Sequence, residues 1–125
     1  MSVLDIRQHE METHELLRQR NEEVIDSVFP TDYGFTICID PYEFENIVSD
    51  KSKIKIKYNF DCYCWSKTNK RSKTFIVKNQ DGRSVTNKDC IQRLIDAGFD
   101  TKCNHHFLEG FDKCSDDCFE ISMGS

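Results

Sequence analysis

Two prolines, five glycines, one alanine and one tryptophan are few for 125 residues. So little Pro and Gly excludes a collagen-like or linker-type chain. Long apolar runs are missing too. Phe75-Ile76-Val77 is typical of the longest, far below the roughly 20 residues that a membrane-spanning helix needs. Met1-Ser2-Val3-Leu4-Asp5 has neither the basic nor the apolar part of a secretory leader, so an intracellular protein with no membrane partner is expected. No G-x-S-x-G, phosphate-binding loop or paired-carboxylate pattern occurs. No catalytic residue is assigned, and a non-enzymatic role is favoured.

What is present is an ordinary globular composition, 38% apolar and 31% charged, at a length suited to one hydrophobic core. Asn, Lys, Ile, Asp and Phe are plentiful where Ala, Pro and Gly are scarce, as an AT-rich genome would produce. Net charge is −5, unevenly spread. Residues 51–78 hold nine basic side chains and one acid, a net +8, between an N-terminal part of −9 and a C-terminal part of −4. A basic centre between acidic ends is a stronger clue to partners than the total.

Residues 1–29 read as an N-terminal helical segment, and residues 30–125 as a single α+β domain. The apolar stripe of the first segment is narrow (Leu4, Met11, Leu17, Val24, Ile25, Val28), so it packs by one edge and offers a surface for a protein partner or self-association. Phe35 to Ile39 reads as a strand. Asp40-Pro41-Tyr42-Glu43 has the form of a helix start, with an acceptor at the cap and proline at the first position, and Phe44, Ile47 and Val48 as its apolar face.

Lys53 to Phe60 alternates apolar and polar residues and is the clearest strand. Ile54, Ile56, Tyr58, Phe60, Cys62 and Cys64 share one face. Lys73 to Lys78 returns as the second strand of a hairpin. Thr86, with Asp89 three residues on, starts a helix with a buried stripe of Cys90, Ile91, Leu94 and Ile95. Gly98 stands at its left-handed cap, followed by Phe99. Two strands, His105–Phe111 and Phe119–Met123, close the chain. The expected fold is α+β: an antiparallel sheet of about five strands, two or three helices on one face, and an N-terminal helix.

Seven cysteines, an odd number, argue against a fully paired disulfide framework. Cys103, His105, Cys114 and Cys118 form a complete donor set for structural zinc. Their C-x-H-x8-C-x3-C spacing is not that of a standard finger or ribbon. Free thiols, a Cys114–Cys118 disulfide and core packing remain open beside it. Cys38, Cys62, Cys64 and Cys90 fall on apolar faces and read as core. His9 and His14 superficially suggest a zinc-protease helix, but they are five residues apart rather than four. A zinc-dependent enzyme is the third-ranked function.

The basic hairpin is the second candidate site. Lys53, Lys55 and Lys57 line one strand face, with Tyr63 and Trp65 further along it and Lys67, Lys70 and Arg71 at the tip. Lysines follow phosphates and exposed aromatics stack on unpaired bases, which suits RNA or single-stranded nucleic acid. The bland alternative is a strand kept soluble, and unpaired at its edge, by lysine. His105, His106, Glu109 and Asp112 are the only dense acid–base group, and they read as the polar side of a strand.

The segments "HHFLEGF" and "FEISMGS", preceded by "TNKDCIQRLIDAGF", resemble the C-terminal part of uncharacterised proteins from giant DNA viruses that infect amoebae. The resemblance spans roughly the last 40 residues and transfers no ligand or catalytic residue. It implies a viral protein acting in the host cytoplasm or carried in the virion. The first-ranked function is accordingly a small interaction or virion-associated protein, with nucleic-acid binding second.

Overall fold

The computed structural model describes residues 16, 19–60, 71–101 and 106–124. The chain divides into two compact units, Met1–Thr31 and Asp32–Ser125. In the first, residue 16 and residues 19–28 are helical, the latter stretch being α1. It ends at the buried Phe29, whose N–H donates to the Ile25 carbonyl at 2.8 Å.

Among the described residues the second unit holds seven strands, β1 (Thr36–Ile37), β2 (Ile47–Ser49), β3 (Lys53–Phe60), β4 (Arg71–Lys78), β5 (Val85–Thr86), β6 (Phe107–Ser115) and β7 (Cys118–Gly124), and one α-helix, α2 (Asn87–Asp96). Five strands form a sheet in the order β1-β6-β7-β3-β4, and β2 pairs with β5 in a small separate one. The mixed α and β content is as expected, but the sheet is not purely antiparallel. β3–β4 and β6–β7 are antiparallel hairpins, while β7 pairs parallel with β3, and β1 parallel with β6. The cause is placement: the last strand enters between β6 and β3 rather than at an edge, and there it runs the same way as β3.

Alternation and register together fix the packed face. Ile54 opposes Val77, Ile56 opposes both Phe75 and Phe119, Ile121 opposes Phe111, and Ile37 opposes Leu108. Partners directly opposite share a face, and nearly all of these are buried. A bulge at Glu109, between Leu108 and Gly110, shifts the parity of β6. It lets Leu108 and Phe111 both face the core although they are three residues apart. Phe99 lies at the hub of an aromatic cluster, with ring centroids 5.9 Å from Phe35, 5.5 Å from Tyr58 and 5.7 Å from Phe75. Edge contacts of this kind contribute about 0.5–1.5 kcal/mol beyond burial.

Helix α2 forms as its sequence predicts. Thr86 and Asp89 make the reciprocal capping box, and Cys90, Ile91 and Leu94 are buried. At its end Gly98 takes φ +67°. Its N–H donates to Ile95 and that of Phe99 to Leu94, both at 3.0 Å, the pattern of a Schellman cap.

Two local expectations fail. Asp40-Pro41-Tyr42-Glu43 opens no α-helix; Pro41–Glu43 is one 3-10 turn, and Asp40 makes no side-chain cap bond. The reason lies at the start of α2, whose Asn87 and Lys88 N–H groups donate to the carbonyls of Asn46 and Phe44 at 3.1 and 2.9 Å. Those carbonyls serve as the helix's external partners, and the chain continues extended into β2. Cys38 is exposed rather than core, since Ile37 and Ile39 on either side of it point inward. No helix among the described residues is long and apolar enough to cross a membrane.

Asp89 ties the helix start to β4. Its Oδ2 accepts from the Thr86 N–H at 2.9 Å, the Thr86 hydroxyl at 3.0 Å and Asn79 Nδ2 at 3.0 Å. Burial works to raise the Asp89 carboxyl. The bonds from Thr86 and Asn79, with Arg83 nearby, outweigh it and leave the group below its ordinary value. A carboxylate depressed on folding stabilises above its unfolded value and loses that contribution as pH falls through the folded one. The stability gap between wild type and Asp89→Asn should therefore be widest near neutrality, begin to narrow at about pH 3.9, the unfolded carboxyl value, and close as pH falls through the lower folded one. Urea melts at several pH values measure it; a gap that persists at full width in acid would refute the assignment.

Candidate interaction surface

The face of the sheet opposite the aromatic cluster is exposed along most of its width. β3 presents Lys53, Lys55, Lys57 and Asn59 there, and the register brings their β4 partners Lys78, Ile76, Thr74 and Ser72 to the same side. Lys53, Lys55 and Lys78 are exposed, and Lys57 half-buried. Ile76 is 47% exposed between them. Lys53 stands directly opposite Lys78, an arrangement that costs free energy because like charges oppose each other. None of the four lysines makes an ion pair among the described residues.

Beyond β3 the sign changes. Lys57 is in register with Glu120 of β7, and Glu120 with Asp112 of β6. The open face thus carries a basic half on β3 and β4 and a carboxylate row on β7 and β6. The sequence places Lys78 on the returning strand and Asp112 on the polar side of another, but assigns Lys78 to no site and does not bring Glu120 beside Asp112. Lys78 follows from counting an eight-residue hairpin register, whereas the acidic row depends on the parallel β3–β7 pairing, which no local pattern announces. The other expected nucleic-acid contacts, Tyr63, Trp65, Lys67 and Lys70, lie outside the described residues. Arg71 opens β4, opposite Phe60.

The four expected zinc ligands fare similarly. Cys103 and His105 lie outside the described residues. Cys114 sits at a second bulge of β6, between Lys113 and Ser115, and Cys118 opens β7. Both are free thiols, and Cys114 Sγ donates to the Cys118 carbonyl at 3.2 Å. Burial, then the bond and proximity of Cys114, raise the Cys118 thiol. Among the described residues no three His, Cys, Asp or Glu side chains are grouped to hold a metal ion. Of the acid–base group, His106 stacks on Phe107 with centroids 4.3 Å apart. Glu109 occupies the bulge, and Asp112 the carboxylate row.

Comparison with family models, with curated proteins and with solved structures found no match. The surface stands on its own chemistry.

The cysteines separate sharply by environment. Cys90 is fully buried, and burial, aided by the Asp89 charge, pushes its thiol up to about 12. Cys38 is exposed, its thiol raised more modestly by partial burial and by Glu109. Maleimide labelling of the native protein should modify Cys38 and Cys114 and spare Cys90, whose rate should rise roughly 100-fold on unfolding. Peptide mass mapping reads this out; native labelling of Cys90 in step with Cys38 would contradict its placement.

Proposed function

We propose that this chain is a small non-enzymatic interaction protein that holds an anionic polymer, RNA or single-stranded nucleic acid, on the basic half of its open sheet face. The observation that carries the reading is the lysine quartet, Lys53, Lys55, Lys57 and Lys78, gathered on one exposed face with no ion-pair partner among the described residues. Solubility alone is served by isolated edge lysines. A quartet spread over two paired strands, one of them internal to the sheet, presents a grid of cations. Phosphates replacing the mutual repulsion of those ammonium groups would release condensed counterions and give binding a steep salt dependence. Thr74 opposite Lys57, and the pair Asn59 and Ser72 beyond it, supply hydrogen-bonding groups suited to a polar backbone. With the viral origin implied by the C-terminal resemblance, such a ligand belongs to the infected cytoplasm or the virion.

Fluorescence anisotropy with a labelled 12-nucleotide oligouridylate tests this. Four phosphate contacts predict a slope of log Kobs against log[salt] of about −3. Replacing all four lysines by glutamine should abolish measurable binding and leave the melting temperature nearly unchanged. Equal affinity of the quadruple variant would overturn the reading.

A second reading rests on the first unit. Leu16 is 57% exposed and Val24 44% exposed on helical residues, and large apolar side chains on a helix surface suit a partner chain. Sedimentation of the full chain should show self-association that the double substitution Leu16→Glu, Val24→Glu removes. A wild-type monomer that captures no second copy at high concentration would leave self-association without support.

A further inference from the structure

The lysine face is not the only unpartnered part of the sheet. β1 pairs with β6 over two residues only, Thr36 with Phe107 and Ile37 with Leu108. From Glu109 to Ser115 no described strand covers the outer edge of β6. Alternation decides which backbone groups face outward there. Leu108 points to β1, since its carbonyl accepts from the Cys38 N–H at 2.8 Å. Past the bulge, Gly110 and Asp112 pair inward with β7, and the alternation of an antiparallel ladder turns the N–H and C=O of Phe111 and Lys113 outward. The Lys55 N–H bond to the Asp117 carbonyl, 2.7 Å on the far side of β7, agrees with the same phase.

A cleft of about 520 Å³ runs along this edge. Ile39, Val48, Phe111 and Phe119 give it an apolar floor, and Ile47, 64% exposed, stands at its margin. Its described charged groups are Glu43, Glu109 and Asp112 against the single cation Lys113, which itself lies 4.0 Å from Asp116. Four features therefore coincide: a strand edge that no described strand pairs, an apolar trough beside it, an exposed isoleucine, and an excess of carboxylates.

We infer that the edge of β6 between its two bulges, Gly110 to Lys113, is a docking site for a short extended peptide of a protein partner in which apolar residues alternate with lysine or arginine. The peptide adds as a sixth strand. Its main chain bonds Phe111 and Lys113, alternate apolar side chains enter the trough, and basic side chains meet Asp112, Glu109 and Glu43. The bulges confine the pairing to about four residues, which sets the length recognised. A second copy of this chain fits poorly. Self-pairing that puts Phe111 opposite Lys113 also places Asp112 opposite Asp112, two like charges on adjoining strands.

The test uses the full chain and a fluorescein-labelled, end-capped octapeptide of alternating lysine and valine. Saturable binding by anisotropy is expected, with at least tenfold weaker binding of the glutamate–valine counterpart and of the E43Q/D112N variant. Lys113→Pro deletes one outward N–H and no ladder bond, and should weaken binding about as much. Should that variant fail to fold, the same bonds are tested from the ligand. Methylating the backbone nitrogens of the lysines in one peptide and of the valines in another blocks one peptide edge at a time. One must lose binding and the other keep it. Equal behaviour of the two methylated peptides, no saturable binding of the parent, or a dimer that K113P abolishes in place of peptide binding would each overturn the proposal. Substituting the lysine quartet should leave peptide affinity unchanged, so the two surfaces are separable.

Discussion

The pairing of β7 with β3 is the contact on which the rest of the second unit depends. It joins residues about sixty positions apart in the chain, Lys55 with Cys118, Ile56 with Phe119 and Lys57 with Glu120. Without it there would be two hairpins; with it there is one sheet, and one face long enough to bury. The register matters as much as the pairing. Ile56 against Phe119 puts both into the core, whereas a slip of one residue would bury Lys57 beside Phe119 and expose Ile56. A one-residue slip reverses every side chain of a strand, so the period-2 pattern of β3 and the apolar pair Phe119 and Ile121 lock each other in place.

That same pairing marks the limit of what the sequence makes legible. β3 and β4 announce themselves because alternation is local and the hairpin joins neighbouring segments. Helix α2 does so because its capping box, buried stripe and Gly98 cap all fall within thirteen residues. The central position of β7 leaves no such trace: a strand's period reports which side chains are buried, not which strand lies beside it or in which direction. The Asp40-Pro41 signal shows a different failure. Its residues are good helix starters, yet the carbonyls that would continue a helix are taken by the first N–H groups of α2, and tertiary bonding overrides propensity. Cys38 reads as core because cysteine packs as a small hydrophobe, yet strict alternation between the buried Ile37 and Ile39 turns it outward.

The candidate sites divide along the same line. Lys53, Lys55 and Lys57 were readable as one face, because they sit on one strand. Their fourth member required the register, and the carboxylates opposite required the fold. The zinc donor set looked complete as a string of residues, but its described half amounts to one bulge thiol bonded to a backbone carbonyl and one thiol at a strand start.

The two bulges of β6 give the sheet its asymmetry. The first, at Glu109, returns Phe111 to the core side and takes the strand out of register with the short β1. β1 therefore ends at Ile37, and the chain leaves through Pro41, which cannot donate to a ladder. The second, at Cys114, closes the hairpin. What lies between them is a stretch too short to invite sheet-to-sheet aggregation yet long enough to offer two outward backbone pairs. Edges left open in this way are ordinarily blunted by lysines or proline; the stretch Gly110 to Lys113 has one lysine, 4.0 Å from Asp116, and the basic grid of this protein lies on β3 and β4. Across the open face the charge runs from lysine on β4 and β3 to carboxylate on β7 and β6. An anionic and a cationic ligand would thus be steered to opposite sides of the same sheet, each disfavoured on the other's ground by the sign of the field.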